Sequence, residues 1–210
     1  MGTITIKHKL TKRVAAPSLD TYERGATVPI AVEDEDPFVY ERTHTVVYIE
    51  GEMPMAPAIT KGLRQENRAF GPDLVVVPVG SSVSFPNMDP IFHNVFSLSK
   101  AKSFDLGNYS KGQTRTVKFN RPGIVLVNCR LHTNMSAVVV VAPNQFYASP
   151  DEKGRFTIPA VPAGKYTVTA WHKATGFLRK DVTVSDGAPS NVDFLVPLGD
   201  ASESHLSAKR

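Results

Sequence analysis

The chain has 210 residues, enough for one large domain or two small ones. Its 41% hydrophobic and 21% charged residues, with 16 Pro and 14 Gly, are typical of a packed protein built from strands and turns. The formal charge of +4 is spread along the chain without a basic run or a nucleic-acid-binding motif, so no nucleic acid partner is expected. No apolar stretch reaches the roughly 20 residues of a membrane span.

The first 57 residues predict few strands. Alternating apolar residues over 3–10 predict a half-buried strand, and the β-branched and aromatic run 44–50 predicts a second one. The intervening stretch 11–36 carries prolines, a glycine and an acidic cluster, and we interpret it as loop with at most one short strand at 27–32. Met53 and Met55 stand beside prolines and indicate a linker.

From residue 58 onward, short apolar runs alternate with turn residues. The stretch 101–108 has no clear alternation, and we expect a connection there with at most a helical turn. Closely spaced short strands of this kind favour a β-sandwich. Strands are predicted at 59–63, 74–77, 82–85, 93–97, 114–119, 124–129, 137–141, 146–148, 154–158, 164–171, 179–184 and 191–198.

One loop concentrates the metal-ligating residue types. Cys129 is the only cysteine of the chain, and His132 and Met135 follow it at intervals of three between two apolar runs. A thiolate, an imidazole and a thioether together suit copper, because soft sulfur and nitrogen ligands select that metal. A blue-copper site needs a second histidine, and His93 is the candidate. A buried cysteine that binds nothing is the alternative.

These residues resemble the cupredoxins. His93-Asn94-Val95 followed by Cys-x2-His-x2-Met is similar to plastocyanin- and amicyanin-like type 1 blue copper proteins, including those of methylamine-utilisation type, over residues 58–142. The resemblance implies one type 1 copper ion bound by four residues: His93, Cys129, His132 and Met135. It implies that two residues support the ligands by hydrogen bonds: Asn94, which would tie the two ligand loops together, and Asn87. It also implies electron exit through His132 and an apolar docking patch of Leu131, Phe92 and Met88.

The C-terminal part has a different likeness. The runs 154–159 and 162–171 are similar to carboxypeptidase-regulatory-like (transthyretin-like) sandwiches, whose early strands would correspond to 3–10 and 46–50. Three consecutive units are the alternative, but a piece of about 55 residues with two or three strands is marginal alone. The predicted fold is therefore all-β, with a Greek-key cupredoxin β-sandwich at 58–143 inserted into a second Ig/transthyretin-like β-sandwich formed by 1–57 and 144–200. The tail 201–210 is expected to be flexible.

The expected function is electron transfer by a mononuclear copper site, not enzymatic catalysis, with an unidentified redox partner protein. An extracytoplasmic binding or structural module and a copper storage or delivery protein are the open alternatives. The resemblance implies a periplasmic or otherwise exported protein whose signal peptide is absent from this chain. Arg130 could attract an acidic partner or be a solvated charge. Trp171 is expected in the sandwich core, and four histidines are not expected to bind metal: His8, His44, His172 and His205.

Overall fold

The computed structural model describes residues 1–7, 10, 36–51, 53–55 and 57–196; His8, His205 and the predicted tail 201–210 lie outside them. No helix in these ranges is long and apolar enough to cross a bilayer. The elements are β1 (Gly2–Ile6), α1 (Val39–Thr43), β2 (Thr45–Ile49), β3 (Thr60–Gly62), β4 (Arg64–Glu66), β5 (Ala69–Gly71), β6 (Leu74–Pro78), β7 (Ser82–Pro86), β8 (His93–Ser99), β9 (Lys102–Tyr109), β10 (Thr114–Lys118), β11 (Gly123–Asn128), β12 (Ser136–Ala142), β13 (Tyr147–Ala148), β14 (Arg155–Phe156), β15 (Gly164–His172), β16 (Gly176–Val184) and β17 (Phe194–Val196).

Two sheets from the middle of the chain form what we call the ligand sandwich. Their strand orders are β6-β12-β11-β8-β9 and β10-β7-β3, with the β4–β5 hairpin beside them. Alternate side chains of each strand point inward, so Val83 and Phe85 of β7 meet Val125 and Val127 of β11 in one core. Cys129 and Met135 belong to the same core.

Strands from the two ends of the chain form a second pair of sheets, which we call the terminal sandwich. The orders are β14-β1-β17 and β13-β2-β15-β16. β1 pairs in parallel with β17, Ile4 lying opposite Phe194, and β2 pairs antiparallel with β15. A sandwich formed from two separate chain segments requires this pairing of early and late strands. The domain boundaries at 57/58 and 143/144 stay a prediction.

The two sandwiches pack face to face. Val46 and Trp171 of the terminal sandwich contact Val76, Val138 and Val140 of the ligand sandwich in a separate buried cluster. The four sheets therefore stack as four layers with three apolar cores. Trp171 lies in this junction, so its predicted place in the core of one sandwich is wrong.

The fold-class prediction, all-β with two sandwiches, is confirmed. The expectation for 101–108 is wrong, because Phe104 and Leu106 turn inward and 102–109 forms the edge strand β9. Its outer face is exposed and Gly107 has a φ of +66°, which weakens the strand pattern in the sequence. The β4–β5 hairpin and helix α1 were not predicted.

Candidate metal centre

Neighbouring strands bring the candidate ligands to one end of the ligand sandwich. β8 begins at His93, and its antiparallel neighbour β11 ends at Asn128, directly before Cys129. The start of one antiparallel strand lies beside the end of the next. The loop 129–135 therefore closes over His93 before β12 continues at Ser136.

Three candidate ligand atoms converge at this point. Cys129 Sγ lies 3.9 Å from His93 Nδ1 and 3.7 Å from His132 Nδ1, and the three ligating groups lie within 4.8 Å of one another. Metal–nitrogen bonds of about 2.1 Å and metal–sulfur bonds of about 2.3 Å, as zinc makes, span such separations. The spacing and the donor types therefore fit a first-row metal ion, and in the described ranges no other group of three such residues meets this criterion.

The two nitrogens of His93 have different neighbours. Nε2 lies 2.7 Å from Asp89 Oδ2, while Nδ1 faces the cysteine sulfur. A carboxylate at one nitrogen fixes the proton there and leaves the other free to bind metal. Both residues are buried, so the ring orientation is set by the protein rather than by solvent.

Asp89 is itself held by a neighbouring turn. The backbone N–H groups of Asn67 and Arg68, both at positive φ at the tip of the β4–β5 hairpin, donate to its two oxygens at 2.7 and 2.9 Å. Burial alone would raise the pKa of Asp89, but hydrogen bonds from the Arg68 N–H, from His93 and from the Asn67 N–H hold it below its ordinary value. The hairpin that the sequence did not predict therefore supports a candidate ligand.

Met135 is the last residue of the loop 129–135 and is buried in the core of the ligand sandwich. Its side chain is 1% exposed, its N–H donates to the His132 carbonyl, and its carbonyl accepts the Cys129 N–H. These bonds hold 129–135 as one compact turn. His132 is only partly buried, and burial, His93 and Arg68 together lower its pKa while Asp89 opposes the shift. His93, Cys129 and His132, with the buried Met135 of the same loop, offer the donor types of a type 1 copper site, and His132 is the candidate ligand nearest solvent.

Asn94 joins the two ligand segments through a third strand. Its backbone N–H approaches Cys129 Sγ at 3.5 Å, and its Nδ2 donates to Asp105 Oδ1 at 2.7 Å. Asp105 Oδ2 forms an ion pair with Arg130 at 3.0 Å, and the Arg130 guanidinium lies 4.6 Å from the Phe96 ring centre. The two ligand segments are therefore joined directly, by the Asn94 N–H and the Cys129 sulfur, and also through the carboxylate of Asp105.

Asn87 shapes the segment that leads to His93. Its Nδ2 donates to the carbonyls of Ile91 and Tyr109 at 2.9 and 3.0 Å, and its Oδ1 accepts the Asp89 N–H at 2.9 Å. Fully buried, it fixes the turn that aims Asp89 at His93.

The three predicted docking residues are exposed on the protein surface. Met88 is 48% exposed, Phe92 60% and Leu131 48%. They flank the candidate ligands in sequence, but single exposed apolar residues are common on protein surfaces. That these three form one docking patch therefore stays a prediction.

Sequence reasoning missed two carboxylates and one cation at this site. Asp89 had a signal, because an acidic residue close before a candidate histidine can be its hydrogen-bonding partner. Asp105 had none, because it lies on the strand that the sequence did not predict. Arg68 stands out only after the hairpin is known to reach Asp89.

The other described histidines each contact a carboxylate. His44 Nε2 lies 2.7 Å from Asp73, and His172 Nε2 lies 2.9 Å from Glu41. Neither belongs to a group of three candidate ligands among the described residues.

Comparison with protein families gives one partial match. The model described as "Polysaccharide lyase family 4, domain II" matches residues 130–192, which include β12 to β16. This is less than half of the chain and assigns no family. The predicted carboxypeptidase-regulatory-like identity of the terminal sandwich therefore stays a prediction. No curated protein matches the chain.

Among solved structures, an amicyanin from Paracoccus versutus is similar at 22% identity and a TM-score of 0.37, covering 45% of this chain and 96% of its own. A purple cupredoxin from Nitrosopumilus maritimus matches at 24% identity and 0.33, covering 36% and 84%. A copper-containing nitrite reductase from Thermus scotoductus matches at 19% and 0.37, covering 44% of this chain, which spans 23% of the reductase. Similarities this low do not establish a shared function.

Proposed function

We propose that this protein is a mononuclear type 1 copper electron carrier that works outside the cytoplasm. The observation that carries the proposal is the triad of Cys129 Sγ, His93 Nδ1 and His132 Nδ1, with Asp89 holding the remote nitrogen of His93. One thiolate and two imidazoles with a buried methionine are the donor set that copper of this type takes.

Copper bound there would supply the one-electron couple, and the residues supply its surroundings. Cys129 has to lose its proton to ligate, so binding releases a proton. His93 and Met135 are fully buried in a rigid core, and Asn87, Asp89 and Asn94 hold the ligand loops by hydrogen bonds. Ligands held in this way move little when the charge at the site changes, which favours fast electron transfer.

Partly exposed His132 is the proposed route for the electron, through a surface formed by Leu131, Phe92 and Met88. Cys129 is 5% exposed and faces two imidazole nitrogens, which suits a metal ligand better than a nucleophile that has to reach a substrate, and we propose a carrier rather than an enzyme. The terminal sandwich buries part of the ligand sandwich and leaves this surface free, which suits a scaffold role.

The test is the visible spectrum after addition of Cu(II). We expect an intense thiolate-to-copper band in the wild-type protein, reversible loss of that band on reduction, and its absence from Cys129→Ser and His93→Gln. His172→Gln is the matched control, because His172 is an equally buried histidine paired with a carboxylate, and it should keep the band. A folded wild-type protein without the band, or equal loss in both histidine variants, would contradict the proposal.

A further inference from the structure

The four acidic residues of the ligand sandwich are all engaged within the protein. Residues 58–143 contain 10 Lys and Arg but only 4 Asp and Glu, a formal charge of +6, whereas the other residues contain 14 against 16. Each of the four carboxylates contacts a positive or hydrogen-donating side chain: Glu66 with Arg64, Asp73 with His44 and Tyr40, Asp89 with His93, and Asp105 with Arg130. The excess of Lys and Arg therefore makes the electrostatic potential at the surface of this sandwich positive.

Two of those cations flank the candidate docking patch. Arg68 is exposed at the hairpin tip, and its N–H donates to Asp89, the carboxylate that contacts His93. Lys111 is exposed on the turn whose Gly112 N–H donates to the Asn87 carbonyl, next to Met88. Neither side chain forms an ion pair within the described residues.

Arg130 has a different role from these two. Its guanidinium is paired with Asp105 and lies over the Phe96 ring, so its charge is compensated within the protein. The sequence left two roles open for Arg130, attraction of an acidic partner or a solvated charge. Among the described residues, Arg68 and Lys111 are cations beside the candidate patch that form no ion pair.

We propose that Arg68 and Lys111 form a basic rim around the patch of Met88, Phe92 and Leu131 and that this surface binds an acidic redox partner protein. The inference rests on the proposed function and names the chemistry of the partner. An apolar centre with a charged rim is the usual arrangement of transient protein interfaces. Unpaired cations at the rim raise the association rate with an acidic surface rather than the final affinity.

The surface can be tested with small redox reagents of opposite charge. The copper-loaded, reduced protein is oxidised by hexacyanoferrate(III), an anion, and by tris(phenanthroline)cobalt(III), a cation, over a range of ionic strengths. We expect the hexacyanoferrate rate to fall as salt rises and the cobalt rate to rise or stay constant. Arg68→Glu and Lys111→Glu together should slow the hexacyanoferrate reaction about tenfold or more at low salt and remove its salt dependence.

The matched control changes the same net charge elsewhere. Lys153→Glu with Lys180→Glu alters two cations of the terminal sandwich, and it should leave the hexacyanoferrate rate within about twofold of wild type. Equal slowing by both double variants would overturn the proposal, because overall charge would then explain the effect. Identical salt dependence of the two reaction rates would also overturn the proposal. A third contradicting result is that Arg68 and Lys111 are required for binding to phosphatidylglycerol vesicles but do not affect the hexacyanoferrate rate.

Failure of the proposed function gives a different result from failure of this inference. A protein that is no electron carrier shows no thiolate–copper band and reacts with neither reagent. A carrier without the basic docking surface shows the band and reacts with both reagents at rates that Arg68 and Lys111 do not affect.

Discussion

Each sandwich of this protein contains a buried histidine paired with a buried carboxylate, and the two pairs differ at one nitrogen. His93 Nε2 lies 2.7 Å from Asp89, and His172 Nε2 lies 2.9 Å from Glu41. The Nδ1 of His93 faces the Cys129 sulfur, whereas the Nδ1 of His172 accepts the N–H of Ala174 at 3.2 Å. The first ring keeps a lone pair for a metal, and the second has none left.

The comparison shows why burial and a carboxylate do not by themselves mark a metal ligand. A neutral imidazole donates at one nitrogen and accepts at the other. In the terminal sandwich His172 Nε2 faces Glu41 of α1, and its Nδ1 accepts an N–H from the turn that follows β15. In the ligand sandwich the accepting nitrogen of His93, Nδ1, instead faces the Cys129 thiol and the His132 imidazole. Of the two arrangements, only this one can bind a metal ion.

Isosteric changes of the two carboxylates should separate these roles. Asp89→Asn keeps the size of the side chain but weakens its hold on the His93 proton, and we expect copper affinity to fall about 10- to 100-fold. The decrease is measured by competition with a copper chelator of known affinity. An affinity within twofold of wild type would mean that Asp89 does not orient His93.

Glu41→Gln is the corresponding change at the other pair. It replaces a carboxyl oxygen by an amide in a buried site in contact with His172 and with the Leu10 N–H. We expect a loss of about 1–3 kcal/mol in the free energy of unfolding, measured by urea denaturation, with copper affinity unchanged. A change in copper affinity as large as that of Asp89→Asn would remove the distinction between the two pairs.

The sequence predicted much of this arrangement, because the ligand types lie in local patterns. Cys129, His132 and Met135 share one loop, and their spacing depends on no distant contact. The strands beside them alternate clearly, so the fold class and the convergence of His93 followed from strand pairing. The triad therefore needed only one long-range assumption, that β8 and β11 are neighbours.

What the sequence could not show depends on contacts between distant segments. Asp105 binds Asn94 and Arg130 from an edge strand with one solvated face, where the apolar alternation is interrupted by Gly107. Trp171 has the pattern of a core residue, but a strand in this stack has apolar neighbours on both faces. Periodicity alone cannot tell which of the two cores such a side chain joins.

The pH dependence of stability should report the His172 pair. Burial lowers the pKa of His172 below 6.5, with the Glu41 charge opposing and the His44 charge adding to the shift. Below about pH 6.5, His172 therefore binds a proton more readily in the unfolded chain than in the folded protein. The free energy of unfolding consequently falls as the pH falls.

We expect this group to contribute at most about 2 kcal/mol of lost stability between pH 7 and pH 5. His172→Gln retains a hydrogen-bond donor for Glu41 but cannot titrate, so its decrease over this interval should be smaller than that of the wild type. Urea denaturation at both pH values measures the difference. A decrease of the same size in both proteins would show that His172 is not the responsible group.

The smallest effect is expected where the site meets solvent, at the link from Asn94 through Asp105 to Arg130. Asp105 and Arg130 are 44% and 59% exposed, so their ion pair is worth about 0–1 kcal/mol in stability. Its consequence should instead be local, because the pair fastens the residue after Cys129 to β9. In Asp105→Asn we expect faster amide hydrogen exchange over 130–135 and unchanged exchange in the terminal sandwich. If exchange over 130–135 stays at the wild-type rate, the hydrogen bonds of Met135 with Cys129 and His132 are sufficient to hold the loop.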